Sequence, residues 1–139
     1  WMKMESPSAK LLFDVGHNPE GMEALCAYLE EIEEKRIVFV FSILARKDAR
    51  QMIERTKQLA ESKEVSWIFT DSGYPGAFSP EALRDFAAAG ELVQDPVQAL
   101  AHAAERAGSN GVVVVTGSVF LVGRLRSLLQ KEPIHCIAR

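Results

Sequence analysis

The sequence predicts a three-layer α/β fold, with a mostly parallel sheet of about six strands and helices on both faces. Three observations carry that prediction. Short apolar runs alternate along the whole chain with segments whose apolar residues recur at helical spacing. The runs are continuously apolar, the pattern of strands covered by helices on both sides. Helix starts are marked by a capping residue followed directly by proline, at Asn18-Pro19, Ser79-Pro80 and Asp95-Pro96. There the side chain accepts from first-turn N–H groups and proline presets the backbone angle. Strands and helices alternating in this way are joined by right-handed crossovers, which makes the architecture Rossmann-like.

Leu11, Leu12 and Phe13 form the first strand, which stops at Asp14. Asn18 caps a helix predicted to run to Lys35, burying Met22, Leu25, Cys26, Leu29 and Ile32. Its acidic run, Glu30, Glu31, Glu33 and Glu34, reads as a solvated face, and Lys35 and Arg36 follow where the helix dipole favours cations. Residues 37–42 are the second strand. A loop with Arg46 and Lys47 leads to Asp48, an N-cap with Gln51 three residues on, and Met52, Ile53, Thr56, Leu59 and Ala60 form the inner face of a second helix. Residues 65–70 are the third strand, followed by a turn-rich loop over 71–76 at the same sheet edge as Asp14.

Ser79-Pro80 opens a helix packed by Leu83, Phe86 and Ala87, and residues 91–93 are a short fourth strand. The helix opened by Asp95 turns Val97, Leu100, Ala101 and Ala104 inward, with Gly108 as its C-terminal cap. Residues 111–116, Gly-Val-Val-Val-Val-Thr, are the most β-prone stretch and read as a central strand. Gly117-Ser118 turns directly into a helix carrying Val119, Val122, Leu125 and Leu128. Residues 134–138 read as an edge strand after Pro133.

The 139 residues suffice for one domain with one proper core. Hydrophobic and charged fractions of 47% and 25% are those of a soluble globular protein, and a net charge of −3 argues against nucleic acid as the main partner. No apolar run is long enough to cross a bilayer, and Trp1-Met2-Lys3-Met4 has no signal-peptide design, so a cytoplasmic protein is expected; it is also expected to be a monomer. Cys26 and Cys136 make no disulfide framework and lack metal-ligand spacing; Cys26, on an apolar helix face, reads as a reduced core thiol.

Polar residues gather at the strand ends: Asp14 and His17; Ser42 with Lys47 and Asp48; Thr70 and Asp71; Thr116, Gly117 and Ser118. In a doubly wound sheet these converge on one crevice, where ligands bind. A carboxylate and an imidazole between one strand and one helix exceed what packing needs, although Asp and Asn also close turns and cap helices. Ser118 offers two alternatives as well, an N-cap or a donor to an anionic group at the helix start. His102 and His135 have no ligand-like neighbours, and Arg124 and Arg126 fall on a solvated helix face. The chain lacks Gly-x-x-x-x-Gly-Lys-Ser/Thr, Gly-x-Gly-x-x-Gly and Gly-x-Ser-x-Gly. It therefore carries no NTPase phosphate loop, dinucleotide fingerprint or esterase elbow. An anion-friendly crevice on a nucleotide-friendly fold, without its triphosphate cradle, looks incomplete.

Asp14-Val-Gly-His-Asn-Pro-Glu-Gly-Met-Glu-Ala-Leu25 and Thr116-Gly-Ser-Val-Phe-Leu-Val-Gly123, followed by Arg124, closely resemble folylpolyglutamate synthases and bifunctional dihydrofolate synthases. Lys47-Asp48 and Ser79-Pro80-Glu81-x-Leu83 match that family in the same order. The resemblance is to the C-terminal domain, the part shared in general form with the Mur ligases. It implies residues 11–139 as that domain and residues 1–10 as the cut end of a linker or a junction, with an N-terminal ATPase domain as the chain's own partner.

The resemblance further implies an enzyme that condenses L-glutamate onto folate or dihydropteroate with ATP and Mg2+, held mainly by the other domain. The family forms an acyl phosphate that the glutamate amine attacks. By similarity Asp14 and His17 are catalytic, and together with Asn18 and Ser118 they bind nucleotide and glutamate, with no metal ligand in this part. The family usually reads Asp-Gly-Ala-His-Asn-Pro where this chain has Val15-Gly16, a frequent Asp-Lys-Asp appears as Arg46-Lys47-Asp48, and Gly76 stands where an Arg often follows the third loop's proline. Within the superfamily the alternative is a cyanophycin-synthetase or Mur-type ligase domain. Outside it, the alternative is a non-catalytic nucleotide- or anion-binding module.

Overall fold

The computed structural model describes residues 9–14, 18–43, 48–77, 79–85, 90–129 and 136–138. Among the described residues six strands are present: β1 (Lys10–Phe13), β2 (Arg36–Phe41), β3 (Glu64–Phe69), β4 (Glu91–Leu92), β5 (Gly111–Thr116) and β6 (Cys136–Ala138). They form one sheet in the order β4-β3-β2-β5-β1-β6, and every pairing is parallel. The helices are α1 (Pro19–Glu31), α2 (Ala49–Leu59), α3 (Pro80–Leu83), α4 (Pro96–Ala107) and α5 (Val119–Leu129).

Strand alternation divides the core in two. Ile37, Phe39 and Phe41 turn towards α1, α2 and α3, meeting Met22, Leu25, Leu29, Met52, Ile53 and Leu83. Val38 and Val40 turn the other way, towards Ala99, Leu100 and Ala103 of α4 and Leu121, Val122 and Leu125 of α5. The sheet is thus buried on both faces, as its continuous hydrophobicity requires. On the first side Trp67 stacks between Phe39 and Phe69, with ring centroids 4.4 and 5.6 Å away.

The predicted caps are present. Asn18, Asp48, Ser79 and Asp95 each accept a hydrogen bond from the backbone N–H three residues on, at 2.8–3.3 Å. Gly108 closes α4 at φ +63°, a conformation that favours glycine.

Several predicted details are corrected. Helix α1 ends at Glu31, not Lys35, because Ile32 is already extended and packs against the core. The cation at its C-terminal end is Lys63, from the turn before β3, whose ammonium donates to Ile32 O and Glu34 O at 2.6 Å each. The acidic run is not simply solvated: Glu30 pairs with Arg55 of α2 at 3.0 Å, and Glu34 pairs with Lys10. Each of β1, β2 and β3 starts one residue earlier than predicted; β2 and β3 also end one earlier, and β4 stops at Leu92. Ala60 caps α2 and is exposed.

Helix α3 is a single turn, with Phe86 and Ala87 outside the described residues. On α4 the buried stripe is Pro96, Ala99, Leu100, Ala103 and Ala107, while Val97, Ala101 and Ala104 are only partly buried. On α5 Leu121 is inside and Val119 outside. The edge strand is described over Cys136–Ala138, and Pro133, Ile134 and His135 lie outside the described residues.

Candidate functional site

Three adjacent strands, β2, β5 and β1, end together and carry Ser42, Thr116-Gly117-Ser118 and Asp14 just past or at their last residues. The chain leaves β1 towards α1 on one face and leaves β5 towards α5 on the other. Connections that part in this way open a crevice at the carboxyl ends of the strands.

Asp14 is held by its backbone N–H, which donates to Val115 O at 3.0 Å. The residue is only 7% exposed, and its Oδ2 is buried without a hydrogen-bond partner among the described residues. Ser42 is 0% exposed, with its Oγ in the same condition. Leaving a buried polar atom unpaired costs about 1–3 kcal/mol, and such atoms gather where a fold serves a purpose other than packing.

Gly117 brings β5 and β2 together at this point. At φ +100° it occupies a conformation L side chains rarely adopt, and a Cβ there would lie 2.5 Å from Ser42 O and 2.6 Å from the Phe41 ring. Glycine alone lets the chain turn so tightly off the strand. Ser118 follows, 4% exposed, its Oγ accepting from the N–H groups of Phe120 at 3.1 Å and Leu121 at 3.4 Å. Capping uses only acceptor lone pairs, and a hydroxyl also has one proton to donate. The two roles weighed for Ser118 are therefore compatible.

Asn18 is exposed and spends its Oδ1 on the N–H of Gly21 at 2.8 Å, as a helix cap. His17, with Val15 and Gly16, lies outside the described residues, as do Arg46 and Lys47. Asp48 caps α2. Thr70 and Asp71, one strand beyond β2, are engaged locally. Thr70 Oγ1 donates to Gln94 O at 3.1 Å, and Asp71 Oδ1 accepts from Gly73 N–H at 2.8 Å. His102 is exposed, with its Nδ1 3.9 Å from Glu91. Among the described residues no group of three or more His, Cys, Asp or Glu side chains could hold a metal ion, and no helix is long and apolar enough to cross a membrane.

One feature of this edge escapes sequence reasoning. Tyr74, from the loop after β3, stacks on Phe120 in the first turn of α5, with centroids 3.7 Å apart and planes 11° from parallel. Both rings remain exposed, 42% and 39%. An aromatic residue in a turn-rich loop and another at a helix start are the only signals, and nothing in the sequence pairs them. Behind Tyr74 a concavity of about 350 Å³ lies among Asp71, Pro75, Ser79 and Gln94, towards β3 and β4 and away from Asp14.

Residues 2–119 match the family model described as Mur ligase, glutamate ligase domain. The chain is 29% identical over 123 residues to the dihydrofolate synthase/folylpolyglutamate synthase of Bacillus subtilis, covering 84% of this chain and 27% of that protein. Among solved structures, Escherichia coli FolC in complex with DHPP and ADP superposes with a TM-score of 0.77 at 23% identity, over 93% of this chain and 30% of that one. A bifunctional folylpolyglutamate synthase/dihydrofolate synthase with Mn, AMPPNP and L-glutamate bound gives a TM-score of 0.72 at 25% identity, over 84% of this chain and 28% of that one. The chain therefore spans less than a third of the length of each of these relatives.

Proposed function

The chain belongs to the Mur ligase, glutamate ligase domain family, and from that premise we propose that it is the C-terminal domain of an ATP-dependent ligase that adds L-glutamate to folate or dihydropteroate. Residues 11–139 form that domain, and a preceding ATPase domain supplies the phosphate loop this sequence lacks. The observation that carries the reading is the unpartnered Asp14 Oδ2 at the topological switch point, in a chain whose relatives are folylpolyglutamate and dihydrofolate synthases.

In this reaction a substrate carboxylate oxygen attacks the γ-phosphorus of ATP and ADP leaves. The glutamate amine then attacks the acyl carbon, phosphate departs and the amine loses a proton. In this reading the buried Asp14 carboxylate orients the glutamate ammonium and takes the proton it sheds to become the attacking amine, the departing phosphate carries away the second proton, and Ser118 donates to an anionic oxygen at the start of α5. By resemblance His17 donates to phosphate or carboxylate oxygens, and Asn18 fixes the helix start beside it. A divalent cation is bound in a related enzyme, and the described residues of this domain hold no group of three or more His, Cys, Asp or Glu side chains that could bind one alone. In this reading the metal sits with the other domain.

The test uses the full-length enzyme that contains this chain. Wild-type protein is expected to release phosphate only when ATP, L-glutamate and a folate or dihydropteroate are all present. Asp14→Ala and His17→Ala should each lower kcat/KM by roughly tens- to a hundredfold, the effect of losing about one charge-assisted hydrogen bond. Full activity in both variants, with unchanged melting temperature, would return both residues to turn formation.

A further inference from the structure

We propose that Ser42 is a further ligand-binding residue of the carboxyl-edge crevice, its hydroxyl donating to an anionic oxygen held at the N-terminus of α5. The inference deepens the functional reading above and rests on it.

Strand alternation places the side chain. Phe41 and Ile43 belong to the core on the α1–α2 side, and Val40 belongs to the core on the α4–α5 side. Ser42, between Phe41 and Ile43, is therefore turned to the face on which α5 begins. It lies beside the start of that helix, since β2 pairs with β5 as far as Phe41 and Thr116, and Ser42 O sits against Gly117.

The start of α5 is suited to an anion. It is an 11-residue helix, and Ser118 Oγ accepts from two of its first-turn N–H groups. A helix start leaves four such groups without an internal partner; Ser118 Oγ satisfies those of Phe120 and Leu121, and the two before them, with the helix dipole, favour negative charge.

The hydroxyl of Ser42 supplies a second, independent observation. It is fully buried and has no partner among the described residues, whereas its neighbour at the equivalent end of β3, Thr70, is satisfied by Gln94 O. A serine kept only for packing at this position would gain by bonding a nearby carbonyl, as Thr70 and Thr56 do. A hydroxyl left unpaired beside a helix start is matched by an oxyanion, either the carboxylate of an amino acid or the phosphate of a nucleotide. Both are hydrogen-bond acceptors that the N–H groups and the hydroxyl can share.

The experiment compares full-length wild-type enzyme with Ser42→Ala and Ser42→Cys, the second keeping nearly the same size with a weaker donor. Melting temperature and the KM values for L-glutamate and ATP are measured. The expected result is a rise of at least about fivefold in one KM with the melting temperature unchanged or raised, because no internal hydrogen bond is lost. A rise confined to glutamate identifies a carboxylate, and one confined to ATP identifies a phosphate. Both constants within about twofold of wild type would overturn the proposal, whatever the melting temperature. If wild-type enzyme shows no ligase turnover, the functional reading itself fails. Ser42 is then judged by calorimetric binding of L-glutamate and ADP. Weaker binding by Ser42→Ala supports the proposal; equal binding, or no binding by wild type, overturns it.

Discussion

Cys26 shows how far one buried side chain departs from its behaviour in water. It lies in the core on the inner face of α1, and burial pushes its thiol up from an ordinary value of 9.0 to about 11, against a smaller lowering by the Arg55 guanidinium. Between those values the unfolded chain has lost a proton that the folded chain keeps, so stability falls as pH rises from about 9 to about 11. The slope approaches about 1.4 kcal/mol per pH unit for one such group. Denaturant titrations across that range should show it, and Cys26→Ala should flatten it; an unchanged slope in the variant would assign the loss to other groups. The thiol was legible as a core residue because its helical spacing with Met22 and Leu29 is unambiguous. The unpartnered oxygens of Asp14 and Ser42 were legible only as strand-end polar residues, since whether a buried atom finds a partner depends on neighbouring strands.

At the scale of elements, capping was read correctly because it is local chemistry: one side chain and an N–H three residues away. At Ser118 the sequence leaves a cap and an anion donor both open, and the structure has the cap, with two first-turn N–H groups on its oxygen. Ser118→Ala is therefore expected to cost about 1 kcal/mol of stability. In the full-length enzyme it should also raise KM for glutamate well above any change in KM for ATP. A lower melting temperature with both constants unchanged would leave Ser118 as a cap alone. Helix faces were harder to read. Alanines occupy so many positions of α4 that its periodicity does not fix which of them face inward. The sheet chooses Ala99, Ala103 and Ala107, each 0% exposed, and so lets the helix approach closely. The early end of α1 has a similar origin, since Lys63 reaches Ile32 O and Glu34 O from a turn distant in the sequence.

For the whole molecule, alternation of strands and helices was enough to foresee a parallel sheet with β5 central, while the full strand order was not legible. Neighbours such as β1 and β5 are chosen by packing across the finished sheet, and no local signal pairs them. The two core clusters flank that sheet, and the proposed catalytic partners lie in another domain. The 139-residue chain is accordingly expected to unfold in one cooperative thermal transition and to release no phosphate from ATP with glutamate and folate. Measurable turnover by the purified chain would overturn the proposed division of labour between domains.

The position of β5 also sets an order of events during synthesis. Strand β1 pairs only with β5 and β6 among the described residues, and β2 reaches β1 only through β5. As the polypeptide emerges, α1, β2, α2 and β3 can begin to assemble, but β1 has no edge to join until residue 116 has been made. Until then its Leu11, Leu12 and Phe13 stay without their strand neighbours. The nascent chain therefore holds an open sheet edge from the making of β2 to the completion of β5, the state in which holding chaperones and strand-to-strand misassembly compete.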